Sequence, residues 1–451
     1  MADSKQPVDV LWFVEHVARE LDAACAVAQH LTARHGRSIE IASLVWGVGS
    51  VLRRFQPRVV ALPYCYGAGD FGTRRVLPVW PGAVYVNLAF EQINQRINRD
   101  FKAPRDPFAR SHVLHHAWGA FYAACLREHG VPPAHIAING NPSYTLYRPP
   151  YRAFYPTREA LARRHGLDPA KRWVFLPEHY AAAFFSDGLL RDYVRRGYTA
   201  EQADGYRRFA AASFHEAVRW WYAAAGEGIE VIIRPRPATP LARFLRACRA
   251  AAGGGPPRGL HVLKAGTVKE WILASDQVAS SYSTTLIEAA VAGKPVAMVV
   301  PVALPDFLDA DWYRHVPQFT LRGEFLEWVR RGPAEPHGQT LKLWAEQMMG
   351  NGDAIAGLAD LLDRACGVGP LPDPVPASAI EAAVQAQRPS GDGVRAQARA
   401  WLSQAKRSVW RRESLHEQDD LAGAQVRARL ARWAQVLDAE PAGILEPSEA
   451  G

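Results

Sequence analysis

Five hydroxyls fall within six positions, Ser280, Ser281, Ser283, Thr284 and Thr285, inside "VASSYSTTLIEAAVAGKPVAMVV" at residues 278–300. The apolar run before them reads as a strand and "TTLIEAAVAG" as a helix, so the cluster stands where a strand hands over to a helix. A helix start carries unpaired N–H groups and a partial positive charge, and hydroxyls there add donors without bulk. The chemistry this suggests is phosphate binding. Thr285-x-x-Glu288 also fits a capping box, which would use the same side chains to hold the helix. Gly293-Lys294-Pro295 then ends that helix and starts the next strand.

"IIRPRPATP" (232–240) ends a second strand in Arg234 and Arg236. Each guanidinium can grip phosphate oxygens through two parallel N–H bonds, and Pro235 and Pro237 stiffen the loop. "FVEHVARELD" (13–22) ends a third strand and crowds Glu15, His16, Arg19 and Glu20 at its tip. Glu15 or His16 there could act as a general base, or the acidic residues could simply favour a helix start.

Other spacings carry less. His112 and His116 lie four apart on an expected helix, "HVLHHAWGAFYAACLREHG" (112–130), with His115 between them. No third ligand accompanies them, so they read as core or solvated histidines rather than a metal site. "GAGDFG" (67–72) has the glycine spacing of a dinucleotide fingerprint. Pro78 and Pro81 follow with no helical period, so a glycine loop at a cleft edge is the expectation. There is no G-x-x-x-x-G-K-[ST], no H-E-x-x-H and no G-x-S-x-G.

These residues need elements to position them. "VDVLWFV", "SIEIASLV", "RVVALPY", "AVYVNLAF" and "HIAINGNP" read as strands, with helical stretches between. After a Pro- and aromatic-rich connector at about 150–170, "RWVFLPEHY", "IEVIIRP", "LHVLK", "QVASS" and "PVAMVV" begin a second series. Strands alternating with helices imply parallel sheets covered on both faces. The expected fold class is therefore α/β, with two Rossmann-like doubly wound domains at 1–155 and 165–335 facing a cleft. A helical extension at 340–451 follows. Ligands of such sheets bind at the carboxyl ends of the strands, which is where the arginines, hydroxyls and Glu15-His16 fall.

With 451 residues the chain is long enough for more than one core. The net charge of +8 and pI near 9.3 suggest an anionic partner, or only an arginine-rich surface. Five scattered cysteines argue for a reducing compartment and against a disulfide framework. Glu15 interrupts the first apolar run too early for a signal peptide, and no stretch approaches the roughly 20 apolar residues of a membrane span. A cytoplasmic location is expected. "VRAQARAWLSQAKRSVWRRES" and "AQVRARLARWAQVL" read as basic amphipathic helices beyond the Pro-rich linker "GVGPLPDPVPAS" (367–378). They either lie peripherally on the inner face of the cytoplasmic membrane or pack on the body and show arginine to water. No nucleic-acid module is recognised.

The chain resembles the bacterial surface carbohydrate biosynthesis proteins, relatives of capsule-type Kdo transferases and polyol-phosphate transferases with the GT-B fold. The resemblance rests on "VEHVARELDAACAVAQHLTARHG", "HHAWGAFYAACLREHG", "INGNPSYTLYRPPYRAFYP", "VIIRPRP" and "SSYSTTLIEAAVAGKPV", in that order over about residues 8–300. That family shows Gly-Asn-Pro and then Arg-Phe-Asp-Leu-Leu-Arg-Pro; here Gly140-Asn141-Pro142 leads into Ser-Tyr-Thr-Leu-Tyr-Arg-Pro. It also shows Arg-Pro-His-Pro, and this chain has Arg236 in the histidine's place. Arginine can bind phosphate but cannot shuttle a proton at neutral pH.

The resemblance implies a metal-independent glycosyltransferase of surface polysaccharide synthesis. Its partners would be a nucleotide sugar, CMP- or CDP-linked, and a carbohydrate or lipid-linked acceptor, with no resident cofactor. Arg234, Arg236 and the Ser/Thr cluster would hold the donor phosphate, Glu288 would reach the ribose, and Glu15 or His16 would activate the acceptor. Arg19, Glu20 and Asn141 would line the acceptor side. Two rivals stand beside it: a sugar-nucleotide epimerase on the same fold, which would need no acceptor, and a non-catalytic binding or scaffold protein.

Overall fold

The computed structural model describes residues 5–195, 197–226, 228–237, 239–332, 338–367, 375–387 and 419–438. β1 (Gln6–Val14) carries the apolar run of the first strand, and Val10, Leu11, Trp12, Phe13 and Val14 are all fully buried. Val10, Trp12 and Val14 join one hydrophobic core while Leu11 and Phe13 join another. A strand apolar on both faces needs cover on both, which a parallel sheet with crossover helices supplies. β2 (Ile39–Ser43), β3 (Phe55–Leu62), β4 (Val84–Asn87), β5 (Val113–Ala117) and β6 (Ile136–Ile138) complete the sheet in the order β2-β1-β3-β4-β5-β6, every pairing parallel.

The second sheet repeats the plan. β7 (Arg172–Pro177), β8 (Ile229–Arg234), β9 (Leu260–Val262), β10 (Gln277–Ser280), β11 (Val296–Val299) and β12 (Gln318–Phe319) run parallel in the order β12-β11-β10-β7-β8-β9. The long helical stretch expected near Ala200 is the helix Ala200–Ala224, opened by a capping box between Thr199 and Gln202. The two Rossmann-like domains thus follow the sequence expectation.

One element departs from it. Residues 112–130 are not a single helix: β5 takes Val113–Ala117 and the helix Ala120–Glu128 begins only after Gly119. The place of this segment between β4 and β6 overrides its helical spacing. A Cβ on Gly119 would stand 1.8 Å from the carbonyl oxygen of Met348, so only glycine lets the two domains approach here. His115 and His116 are consequently neighbours on a strand and point to opposite faces. His115 donates from Nε2 to the Ala109 carbonyl at 2.7 Å, and His116 from Nδ1 to that of Leu88 at 3.2 Å. Burial pushes both down to about 4, as befits core histidines.

The helices after residue 338 attach to both domains. Gln339–Met349 buries Leu341, Ala345 and Met349 in the second core, and Ala354–Gly367 returns to the first, packing on the helix Val17–His35. The basic helix Gly423–Asp438 lies on Val17–His35 too, with Trp433 fully buried and stacked on Phe154, ring centroids 4.0 Å apart. Val426, Leu430, Val436 and Leu437 of this helix pack against the first core. The segment "VRAQARAWLSQAKRSVWRRES" and residues 368–374 of the Pro-rich linker lie outside the described residues. Among the described residues no helix is long and apolar enough to cross a membrane.

Candidate functional site

The segments following β1, β3, β4, β7, β8 and β11 enclose a cavity of about 560 Å³ between the domains. From the first domain it receives Glu15, His16 and Arg19, then Tyr64, Tyr66 and Asp70, then Glu91, Lys102 and Arg105. From the second it receives Tyr193, Tyr198, Tyr206, Arg236 and Leu308. Carboxylates and cations of the first domain therefore share the cavity wall with three tyrosines and an arginine of the second. The glycine loop "GAGDFG" sits at the rim as expected, with Gly69, Asp70 and Phe71 in the wall. A smaller cavity of about 250 Å³, walled by Trp118, Phe121, Trp312, Trp344 and Met348, carries Asp311 as its one charged residue beside the Tyr122 phenol.

His16 stands where β1 meets the helix Val17–His35, in extended backbone at φ −116°. Its Nδ1 lies 2.9 Å from Asp419 Oδ2, while the other oxygen of that carboxylate accepts the Val17 N–H at 2.9 Å. Asp419 is itself 2% exposed. A carboxylate at Nδ1 fixes the proton there and puts the lone pair on Nε2, which is 3.8 Å from Glu15 Oε2. Burial opposes the imidazolium, but the Asp419 hydrogen bond and the carboxylates of Glu15 and Glu20 outweigh burial and Arg19 together, so His16 titrates above the usual histidine range.

Arg19 is the hub of the acidic side. It donates to Glu20 from Nε at 3.0 Å and from Nη2 at 2.6 Å, reaches Glu91 at 2.5 Å and lies 3.4 Å from Glu15. Lys102 also pairs with Glu91. That ammonium, ahead of the opposing burial, holds the Glu91 carboxyl well below the usual range. Glu20 is fully buried and accepts the Glu15 N–H at 2.8 Å. It supports the cavity wall from behind rather than lining it.

On the opposite side Arg236 is the one predicted donor-side residue in the cavity wall. Its backbone N–H donates to Glu178 Oε2 at 3.2 Å, and Glu178, 3% exposed, lies at the end of β7. His179 follows it, edge-on to Tyr282 at 5.0 Å. Burial and then Arg236 push His179 down to about 3, so it is a neutral imidazole near Arg236. Neither Glu178 nor His179 was singled out from sequence.

The other predicted residues are elsewhere. Arg234 is 4% exposed and donates from Nη2 to the Gly266 carbonyl at 2.7 Å; it is the last residue of β8, held in the sheet, whereas Arg236 lies in the loop beyond the strand end. Ser280, Ser281 and Ser283 are 4–6% exposed, closed in beneath the turn. Ser280 donates to the Pro177 carbonyl at 2.6 Å and Ser283 to Thr285 Oγ1 at 3.1 Å. None of the five hydroxyls lines the cavity; Thr284 is exposed and Thr285 partly so, at the start of the helix Thr285–Val291. The capping box is not formed, since Thr284 is the N-cap and Glu288 accepts from the Tyr147 hydroxyl at 2.8 Å. That bond occupies the carboxylate expected at the ribose. Asn141 caps the short helix Pro142–Thr145 by accepting the Ser143 N–H at 2.9 Å, and it too is absent from the cavity wall. Among the described residues no group of His, Cys, Asp and Glu could hold a metal.

The sequence matches no protein-family model and no curated protein. Solved structures do resemble it. The wall teichoic acid polymerase TagF superposes with a TM-score of 0.52 at 10% identity, covering 81% of this chain and 91% of that one. A TagF variant soaked with CDPG gives 0.52 at 10% identity, over 81% and 90%. A putative UDP-N-acetylglucosamine 2-epimerase from Listeria monocytogenes gives 0.47 at 12% identity, over 82% and 99%. At such identities the TagF likeness speaks for fold alone, and with the two parallel six-stranded sheets it identifies the architecture as GT-B.

Proposed function

We propose that this protein is a GT-B glycosyltransferase of surface polymer synthesis, moving a sugar from a nucleotide-activated donor to a carbohydrate or lipid-linked acceptor. One observation carries it: a single interdomain cavity brings a carboxylate-held histidine, His16, from one domain to a phosphate-type cation, Arg236, from the other. In an inverting transfer the acceptor hydroxyl gives its proton to His16 Nε2 as its oxygen bonds the anomeric carbon. The bond from that carbon to the nucleotide phosphate breaks, and its electron pair stays on the phosphate oxygen. Glu15 stabilises the imidazolium formed, and Arg236 meets the charge growing on the phosphate, the term that dominates such reactions.

The exposed helix start at Thr284 and Thr285 would complete the phosphate contacts, since Tyr282 beside it packs on His179 next to Arg236. Fixed cations do the work a metal would do. The family resemblance and the CDPG soak of TagF both direct attention to cytidine donors first.

A thermal-shift screen against CMP, CDP, UDP, GDP and their sugars tests this. One nucleotide series should raise the melting temperature, by linkage, in wild type and not in Arg236→Ala. No shift with any of them overturns the proposal. Turnover of a nucleotide sugar with no acceptor present would replace it with an epimerase.

A further inference from the structure

Asp419 lies about 400 positions from His16 in sequence, yet both its oxygens are engaged at the tip of β1. One oxygen meets His16 Nδ1 and the other caps Val17 N–H, each at 2.9 Å, and its own carbonyl accepts from Ser43 Oγ at 3.2 Å at the end of β2. We propose that Asp419, delivered by the C-terminal segment, is the positioning residue of His16: it fixes the Nδ1–H tautomer and aims Nε2 into the cavity. The proposal rests on the transferase reading for its consequence, but its geometry stands without it. It also explains why the chain continues past its second sheet and returns to the first: the helix Gly423–Asp438, locked by Trp433 on Phe154 and by Arg429 on Asp22, anchors Asp419 from the far side.

A carboxylate at this nitrogen does three things. It selects the tautomer, holds the ring's orientation, and stabilises the imidazolium that a general base becomes. The other charged groups facing His16 are Glu15 and Arg19 in the cavity wall, Glu20 behind them and Glu91 across Arg19. Arg19 is tied to all three carboxylates, whereas Asp419 is the carboxylate that, among the described residues, lies within hydrogen-bond distance of the ring, at Nδ1. That contact favours the Nδ1–H tautomer, and the neighbouring charges bias the protonation.

A structural cap and a positioning carboxylate can be told apart with Asp419→Asn in the full chain. The amide oxygen can still accept the Val17 N–H, but its NH2 faces Nδ1 and favours the opposite tautomer. The readout is a long-range 1H–15N spectrum of the histidine imidazoles from pH 5 to 9, with His16 assigned by its loss in His16→Gln. Wild-type His16 should be the Nδ1–H tautomer with a midpoint above 6.5; in Asp419→Asn the tautomer should switch and the midpoint should fall. An Nε2–H tautomer in wild type overturns the proposal, even should the variant fail to fold. So does a tautomer and midpoint unchanged in Asp419→Asn.

If the switch occurs but no nucleotide stabilises wild type, Asp419 keeps its role and the transferase reading falls. If nucleotides stabilise wild type but the tautomer is unmoved, only the positioning role falls. With a donor and acceptor in hand, Asp419→Asn should lower kcat at least a hundredfold with KM nearly unchanged.

Discussion

The Tyr147 hydroxyl donates to Glu288 Oε2 at 2.8 Å, joining the segment that leaves the first domain to a helix of the second. Tyr147 is 4% exposed and Glu288 is half-buried, so the phenol has little access to water as a substitute. Tyr147→Phe should therefore cost about 1.5–3 kcal/mol of unfolding free energy, the range for a hydrogen bond to a charged group. Glu288→Gln, which keeps an acceptor oxygen, should cost less. Neither change should alter nucleotide stabilisation. Urea unfolding with and without ligand checks both, and a specific loss of nucleotide binding in Glu288→Gln would return that residue to the ribose.

Arg234 and Arg236 differ by two positions and should differ in kind. Arg234→Ala removes a buried guanidinium from the Gly266 carbonyl and should lower stability by about 1–3 kcal/mol. Arg236→Ala should leave the melting temperature within a degree or two and weaken nucleotide binding at least tenfold, about 1.4 kcal/mol. Equal effects of the two changes on binding would contradict the separation.

This pair shows where sequence was legible and where it was not. Strand-helix alternation disclosed both sheets, because fully buried parallel strands need apolar runs such as "VDVLWFV" whatever their partners. The same logic located Glu15, His16 and Arg236 at strand ends. It could not tell Arg234 from Arg236, since the point where β8 ends decides which is held in the sheet and which reaches the cavity from the loop. In the hydroxyl run, Ser280 and Ser283 bond a local carbonyl and hydroxyl, a use that residue type and spacing alone do not disclose. Asp419 had no local signal, because its meaning lies in a contact across most of the chain. His179 did have one. β1 ends in Glu15-His16 and β7, the first strand of the second sheet, runs into Glu178-His179, so the two domains carry the same pair at corresponding places.

Those two histidines should respond to pH in opposite directions. His16 is raised in the fold, so the stability it contributes is fully present below about 6.5, the unfolded value, and is lost as pH rises through its folded value. His179 is depressed to about 3. Below about 6.5 the unfolded chain takes up a proton that the native chain refuses, so His179 costs stability increasingly as pH falls, at up to about 1.4 kcal/mol per pH unit. Relative to wild type, His16→Gln should be more destabilising at pH 5.5 than at pH 9. His179→Gln should gain on wild type between pH 7 and 5. Urea midpoints at these values decide it, and a pH-independent difference for either variant would show that its ring is not held as described.

Trp433 gives the strongest stability prediction. It is fully buried, stacked on Phe154 with planes 6° apart and edge-on to Tyr151 at 6.0 Å. Trp433→Ala should cost about 3–5 kcal/mol, the usual range for truncating a large buried aromatic. Because the same helix carries Arg429 to Asp22 and follows Asp419, its loosening should also release His16. In Trp433→Ala the His16 midpoint should then move down, while in Trp433→Phe, which keeps a ring on Phe154, it should stay near wild type. A helix that merely rests on the surface would tolerate both changes equally. In that case unfolding would be unaffected, and the histidine would titrate as before.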